Sequence, residues 1–358
     1  MKIVGKAGNC KGFSFDSNLL ARFDFSGQID NNSFPSVSPD QQKKFQADFV
    51  SQFEKVRDQL LKYKWLSADA ILPPRVTSGP CCPPSDFHVF ISDAYDLSRS
   101  LVPAWHGQRG WMEFPAHRVL VGGATIAHEL VHVLFPNGNR MLAEGLATYL
   151  QHKLLPRLPV FPNYGDALEV VVEEFLRVTF PNDPTGALWS MDLEGLEGIS
   201  TPDDLFMRVG TRPFIGGDPA RPEIPDSQQT KFLYAVAGSF VGFLLENPIE
   251  DEGILTEKNF GTLYLSSPLR PLERDSGAAD RWQNAYRNRS KSFSFKELSL
   301  LWKTYMHFVL FSDDAKKPSI PDNYRRVKLV SELYAKLQEI ASQGSGQPPA
   351  RAPRKAGE

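Results

Sequence analysis

The stretch that decides the reading is His128-Glu129-Leu130-Val131-His132, followed closely by Met141-Leu142-Ala143-Glu144-Gly145-Leu146-Ala147-Thr148-Tyr149-Leu150. Residues four apart on a helix project from one face, so His128 and His132 can grip a single metal ion. Glu129 lies at the rim of that face, where it can take a proton from water without being a ligand. Glu144 offers a carboxylate from a second helix, the usual third member of a His₂Glu metal set.

The surrounding residues support two helices. Gly122-Gly123 break the preceding segment. Ile126, Leu130, Val133 and Leu134 then recur at helical spacing, and Pro136-Asn137-Gly138-Asn139 stops the run. In the second helix Leu142, Leu146, Tyr149 and Leu150 form an apolar stripe that ends before Pro156. Glu144 lies off that stripe, with Thr148 and Gln151 one and two turns further on. Those two side chains either support a metal ligand by hydrogen bonding or lie on a plain solvated face.

Leu142-Ala143-Glu144-Gly145-Leu146-Ala147-Thr148-Tyr149 resembles the second metal motif of the gluzincin, or peptidase MA-like, metallopeptidases. The resemblance implies one Zn2+ per chain held by His128, His132 and Glu144, with Glu129 as the catalytic base. It implies a zinc-dependent peptidase acting on peptide or protein substrates. Glu144 follows His132 at a shorter interval than in the aminopeptidase branch, Ala143 stands where that branch has Asn, and Gln151 where it often has a second Glu. Endopeptidase action is therefore expected ahead of aminopeptidase action. The alternative is a non-catalytic zinc-binding or scaffold protein that keeps the fold.

The chain has 358 residues, enough for a sizeable core in one large or two small domains. Its net charge of −2 leaves no basic surplus for phosphate backbones, so nucleic acid is not an expected partner. No apolar run reaches the ~18–20 residues a membrane span needs. Met1-Lys2-Ile3-Val4-Gly5-Lys6 leads into no apolar segment of the signal-peptide kind. With only three cysteines, of which Cys81 and Cys82 are adjacent, a disulfide framework is not expected, and a cytoplasmic location is favoured.

The expected fold class is α+β: a zincin-like metallopeptidase with a small N-terminal sheet lobe and a mainly helical C-terminal lobe. Residues 1–75 supply strands and a helix, 76–156 the sheet and the two metal-binding helices, 157–341 a helical lobe, and 342–358 a disordered tail. Phe13, Phe15, Phe23 and Phe25 alternate as in strands, and Ser38-Pro39 caps a helix carrying Phe45, Phe49, Phe53, Val56 and Leu60. Phe87–Ile91 reads as a buried strand, residues 110–115 as an edge strand, and 118–121 as a short strand before the His-bearing helix. Further helices are expected over 166–178, 231–246, 295–311 and 324–340, and a Pro-rich loop or flap over 211–228.

Two more site candidates rest on the resemblance. Tyr234 lies on the helix similar to the family's downstream element, where a Tyr or His steadies the oxyanion. It is either that donor or a core tyrosine. Glu113, in Gly110-Trp111-Met112-Glu113-Phe114, looks like the substrate strand of aminopeptidases. It either captures a peptide amine or is an ordinary strand residue.

Overall fold

The computed structural model describes residues 11–16, 19–25, 37–63, 86–92, 98–101, 111–137, 139–197, 226–246, 257–267, 278–287, 292–311 and 328–343. Residues 211–225 of the loop expected over 211–228, the cysteines and residues 344–358 lie outside them. The described residues form eleven α-helices and one small five-stranded sheet.

The sheet is built from β1 (Lys11–Asp16), β2 (Leu19–Asp24), β3 (Asp86–Ser92), β4 (Arg99–Leu101) and β5 (Trp111–Pro115). Their order across the sheet is β1-β2-β3-β5-β4. β1 and β2 are antiparallel, β2-β3 and β3-β5 are parallel, and β4 runs antiparallel to β5. β5 is therefore interior, and the short β4 occupies the edge expected for residues 110–115. β4 takes the outer hydrogen-bonding side of β5, a pairing that periodicity within one strand cannot reveal.

Helix α1 (Pro39–Lys62) connects β2 to β3, as a parallel pair requires. Ser38 and Gln41 form a reciprocal capping box at its start, and Pro39 takes the first helical position. Its Phe45, Phe49, Phe53, Val56 and Leu60 are buried. Phe23 of β2 meets Phe45 and Phe49 edge-on at 6.0 and 5.2 Å, and Phe45 meets Phe114 of β5 at 5.5 Å. These rings join α1 to the sheet.

Residues 116–121 form helix α2 (Ala116–Val121), not the short strand expected over 118–121. Pro115 closes β5, and Gly122, at φ 70°, ends the helix in a left-handed cap that apolar periodicity over four residues cannot register. Helices α3 (Ile126–Leu134) and α4 (Arg140–Leu154) follow.

The rest is helical: α5 (Leu168–Thr179), α6 (Pro184–Ser190), α7 (Asp226–Glu246), α8 (Glu257–Ser266), α9 (Ala278–Ala285), α10 (Phe295–Phe311) and α11 (Lys328–Gln343). α7 begins at Asp226, ahead of the expected Lys231 and inside the end of the loop expected over 211–228; Asp226–Thr230 is polar and carries no apolar repeat that marks it as helix. α11 likewise takes in Ser342 and Gln343, assigned above to the tail; the Ser342 hydroxyl donates to the Glu339 carbonyl. A single hydrophobic cluster runs from Phe23 to Leu337, so the segments expected as lobes share one core.

Glycines let α4 and α7 approach closely. A Cβ on Gly145 would lie 2.7 Å from the Ala237 carbonyl oxygen, and one on Gly238 or Gly242 would meet Thr148 or Tyr149 at 2.7 Å. α5 packs on α7 through Phe175 and Phe232, stacked at 4.0 Å. α10 docks from the other side, where the Trp302 indole donates to Ser239 at 3.2 Å. No helix among the described residues is long and apolar enough to cross a membrane.

Lys303 of α10 is buried, and its ammonium donates to the carbonyls of Trp189, at 3.0 Å, and Met191. It thus satisfies carbonyls at the C-terminal end of α6. Burial pushes its pKa down to about 8, against the pull of Asp192. Below pH 8 folded and unfolded chains are both charged there, and the burial cost is fully present. As pH rises towards 10.5 the unfolded chain binds more protons than the folded one, so this contribution to stability rises. Relative to Lys303→Met, the wild type should gain up to about 3 kcal/mol across that window. Denaturant titrations of both proteins at pH 7.5 and 10.5 check this; a pH-independent difference would contradict it.

Candidate metal centre

The site is assembled from the two helices that the sequence marks out. α3 is buried on almost every side, and no side chain of its own caps its first turn. α1 supplies the missing acceptor: Gln52, itself buried, takes a hydrogen bond from the Ala127 amide at 3.0 Å. One orphan N–H of the helix is satisfied across a long stretch of sequence. α4 is capped locally, with Asn139 Oδ1 accepting from the Leu142 amide at 3.1 Å.

His128 and His132 lie one turn apart on α3, with their rings 4.7 Å apart. Three atoms converge: His128 Nε2, His132 Nε2 and Glu144 Oε2, each 3.1 Å from the other two. Protons cannot satisfy this triangle. One imidazole N–H, even shared between two acceptors, leaves two lone pairs facing each other across the third edge, and two N–H groups cannot face each other. A cation between them would meet all three lone pairs. Ligands about 2.0–2.2 Å from a tetrahedral ion lie about 3.3–3.5 Å apart, so the cluster accepts such an ion with a slight opening. Among the described residues this is the one group of three potential donors that could hold a metal.

Charge follows the geometry. Burial works against ionising Glu144, but His132 and His128 outweigh it and hold its carboxyl well below the ordinary range. Burial likewise opposes charging His132, and the Glu144 carboxylate overcomes this and raises its pKa. Glu129 is outside the triangle. Burial raises its pKa and Glu144 adds to the rise, while His128 and His132 pull the other way. Ser100 of β4 hydrogen-bonds its carboxylate, and the Thr125 hydroxyl lies 3.5 Å from Oε1. A buried carboxyl of raised pKa beside a triangle that could hold a metal has the character of a proton carrier.

Tyr234 of α7 reaches this site. Its ring stacks on His128 at 5.7 Å and meets Phe161 at 5.5 Å. The nearby charge of Glu144, with burial, holds its hydroxyl protonated far above the ordinary tyrosine range, and the hydroxyl hydrogen-bonds that carboxylate.

Thr148, Gln151 and Glu113 are placed elsewhere. Thr148 is fully buried against Gly238. Gln151 donates to the Phe161 carbonyl at 2.7 Å, not to a metal-site residue. Both face α7 and the chain after α4, so neither lies on the solvated face that was the other expectation for them. Glu113 is buried in the sheet. Ser92 donates to one oxygen, and Arg99 Nε donates to the other at 2.6 Å, pinning β4 to β5. With both oxygens engaged, it is a structural ion pair and not a free amine-binding group. Tyr149 accepts from Lys153 at 2.9 Å and borders a cavity of about 450 Å³, with Lys62 and Glu246, at the end of α4 away from Glu144. His117 is exposed.

Sequence reasoning missed Gln52, Ser100 and Tyr264. Tyr264 of α8 clamps the turn between α3 and α4. Its hydroxyl donates to the Phe135 carbonyl at 2.7 Å, its ring stacks on Phe135 at 4.5 Å, and its carbonyl accepts from Asn137 Nδ2 at 2.7 Å. Asn137 Oδ1 in turn accepts from the Asn139 amide at 2.8 Å. The only local signal was the pair of asparagines in the turn. No protein-family model, curated protein or solved structure matches this chain.

Tyr264→Phe should leave the Phe135 carbonyl buried without its donor, costing about 1–3 kcal/mol. The relaxed turn should weaken metal binding by about tenfold. Competition with a chromophoric chelator reads this directly, and unchanged affinity would remove Tyr264 from the site.

Proposed function

We propose that the chain is a zinc-dependent metallopeptidase of the gluzincin type, with its sheet and helices in a zincin-like arrangement. The observation that carries this reading is the equal-sided His128–His132–Glu144 triangle with the buried carboxyl of Glu129 beside it and outside it. Two imidazoles and one carboxylate are the donor set of hydrolytic zinc, with one position left over for water or substrate.

Zinc bound there supplies a Lewis acid for the scissile carbonyl and lowers the pKa of water to about 7. The chain's own residues do the rest. Glu129 accepts the proton of the attacking water and returns it to the leaving amine, and its raised pKa suits a group that must hold a proton between the two steps. Ser100 and Thr125 orient that carboxylate. Tyr234 keeps its proton, so its hydroxyl remains a donor for negative charge developing on the carbonyl oxygen. In the free protein that donor is held on Glu144.

Substrate backbone would add to β4, which among the described residues pairs only with β5. Because Glu113 is tied to Arg99 and Ser92, no anchor for a free amine stands on β5. This favours cleavage within chains over aminopeptidase action. The non-catalytic alternative leaves the buried carboxyl of Glu129, beside the triangle but outside it, without a role.

Glu129→Gln should retain stoichiometric zinc while hydrolysis of an N-acetylated peptide falls by at least ~10²–10⁴-fold. His132→Ala should lose the metal. Normal turnover in Glu129→Gln, or full zinc in His132→Ala, would overturn the assignment. Elemental analysis and a quenched-peptide assay on the same samples decide it.

For Tyr234→Phe, kcat should fall on the order of 10²-fold with zinc retained. A variant that loses zinc and activity together would instead make the hydroxyl a support for Glu144.

A further inference from the structure

Beyond the candidate metal triangle, aromatic rings continue in successive contacts. Tyr234 stacks on His128, Phe161 meets Tyr234 at 5.5 Å, and Tyr164 meets Phe161 edge-on at 6.4 Å. Lys231, one turn before Tyr234 on α7, lies 5.6 Å over the Tyr164 ring. Tyr234 and Phe161 are partly exposed, and Tyr164 is 53% exposed. The strip therefore runs from a candidate ligand to solvent.

Tyr164 is held at a cost. Its φ is 48°, a left-handed conformation that suits glycine or asparagine far better than an aromatic residue. An aromatic ring in that conformation ordinarily gains packing in return, yet most of this one faces water. The loop is nevertheless fixed. Gln151 binds the Phe161 carbonyl, Asn163 Nδ2 donates to the Asp166 carbonyl at 2.6 Å, and the Tyr164 amide donates to Val160 at 2.8 Å. Lys231 steadies the ring by a cation–π contact. A rigid, strained and exposed aromatic beside a catalytic-type cluster is what a preorganised side-chain subsite requires.

We propose that Tyr234, Phe161 and Tyr164 form a subsite for a large aromatic side chain of a peptide held at the His128–His132–Glu144 cluster. This rests on the peptidase reading, and it determines which substrates the same site prefers. The bound ring lies against Phe161 and the open part of Tyr164, in the offset or edge-on contacts that aromatic pairs favour. None of the three residues is a metal ligand, so the preference does not need the metal.

The test uses acetyl-Ala-Ala-Ala-Ala-amide and four versions with Phe at one position each, titrated by NMR into zinc-loaded and metal-free protein. One Phe version should bind about tenfold tighter than the all-Ala peptide, with or without zinc. Tyr164→Gly should reduce that ratio below about threefold while the Tm stays constant or rises, since glycine relieves the backbone. Phe161→Leu should lower it as well. Absence of any Phe preference in a protein that binds zinc overturns the subsite, as does a preference that survives both substitutions. A preference that persists in a protein binding no zinc leaves the subsite standing and removes the peptidase reading instead.

Discussion

The close contact of α4 with α7 is the constraint on which the rest depends. Gly145 follows Glu144 directly, and any side chain there would drive into Val241 and the Ala237 carbonyl. Gly238 and Gly242 do the same for α7, admitting Thr148 and Tyr149. Buried helices are normally held apart by their side chains, with axes about 8–10 Å apart. Removing those side chains brings the backbones together and places Tyr234 on the ring of His128. The contact that completes the core thus also sets the distance between the two halves of the site. α5 and α10 pack on α7, so that distance is reinforced from behind.

Polar side chains do a second job, at the ends of the site helices. Gln52 satisfies an amide at the start of α3, and Tyr264 takes its final carbonyl, that of Phe135. Asn137 and Asn139 carry the connection into the first turn of α4. Buried polar groups left unpaired are expensive, so each bond restricts its helix to one position. The support of the candidate metal triangle therefore comes from distant elements. Thr148 and Gln151, which share the helix with Glu144, contribute to packing and to the following loop.

Much of this was legible in the residues. The start and end of α1, the two site helices, the Ser38 cap and the strands around Phe23 and Val89 follow from local patterns: a cap, a period of 3.6 or 2, a proline or glycine stop. The juxtaposition of His128, His132 and Glu144 also follows, because one turn of helix sets the first pair and a short turn limits where the third can go. Other elements had no such signature. Residues 118–121 look apolar enough for a strand, yet they complete a short helix that Gly122 ends in a left-handed cap. α6, α8 and α9 are short, at seven, ten and eight residues, and packing selects them.

The sequence by itself therefore determined the strongly patterned elements and the candidate donors, because these depend on contacts within a few residues. Tertiary structure alone decided which strand is the edge, that Glu113 is tied to Arg99 and Ser92, that Tyr234 meets His128, and that Gln52 and Tyr264 anchor the site. Each of these joins residues far apart in the chain. Their energies depend on burial and on distances of a few ångströms, and neither exists until the helices have packed.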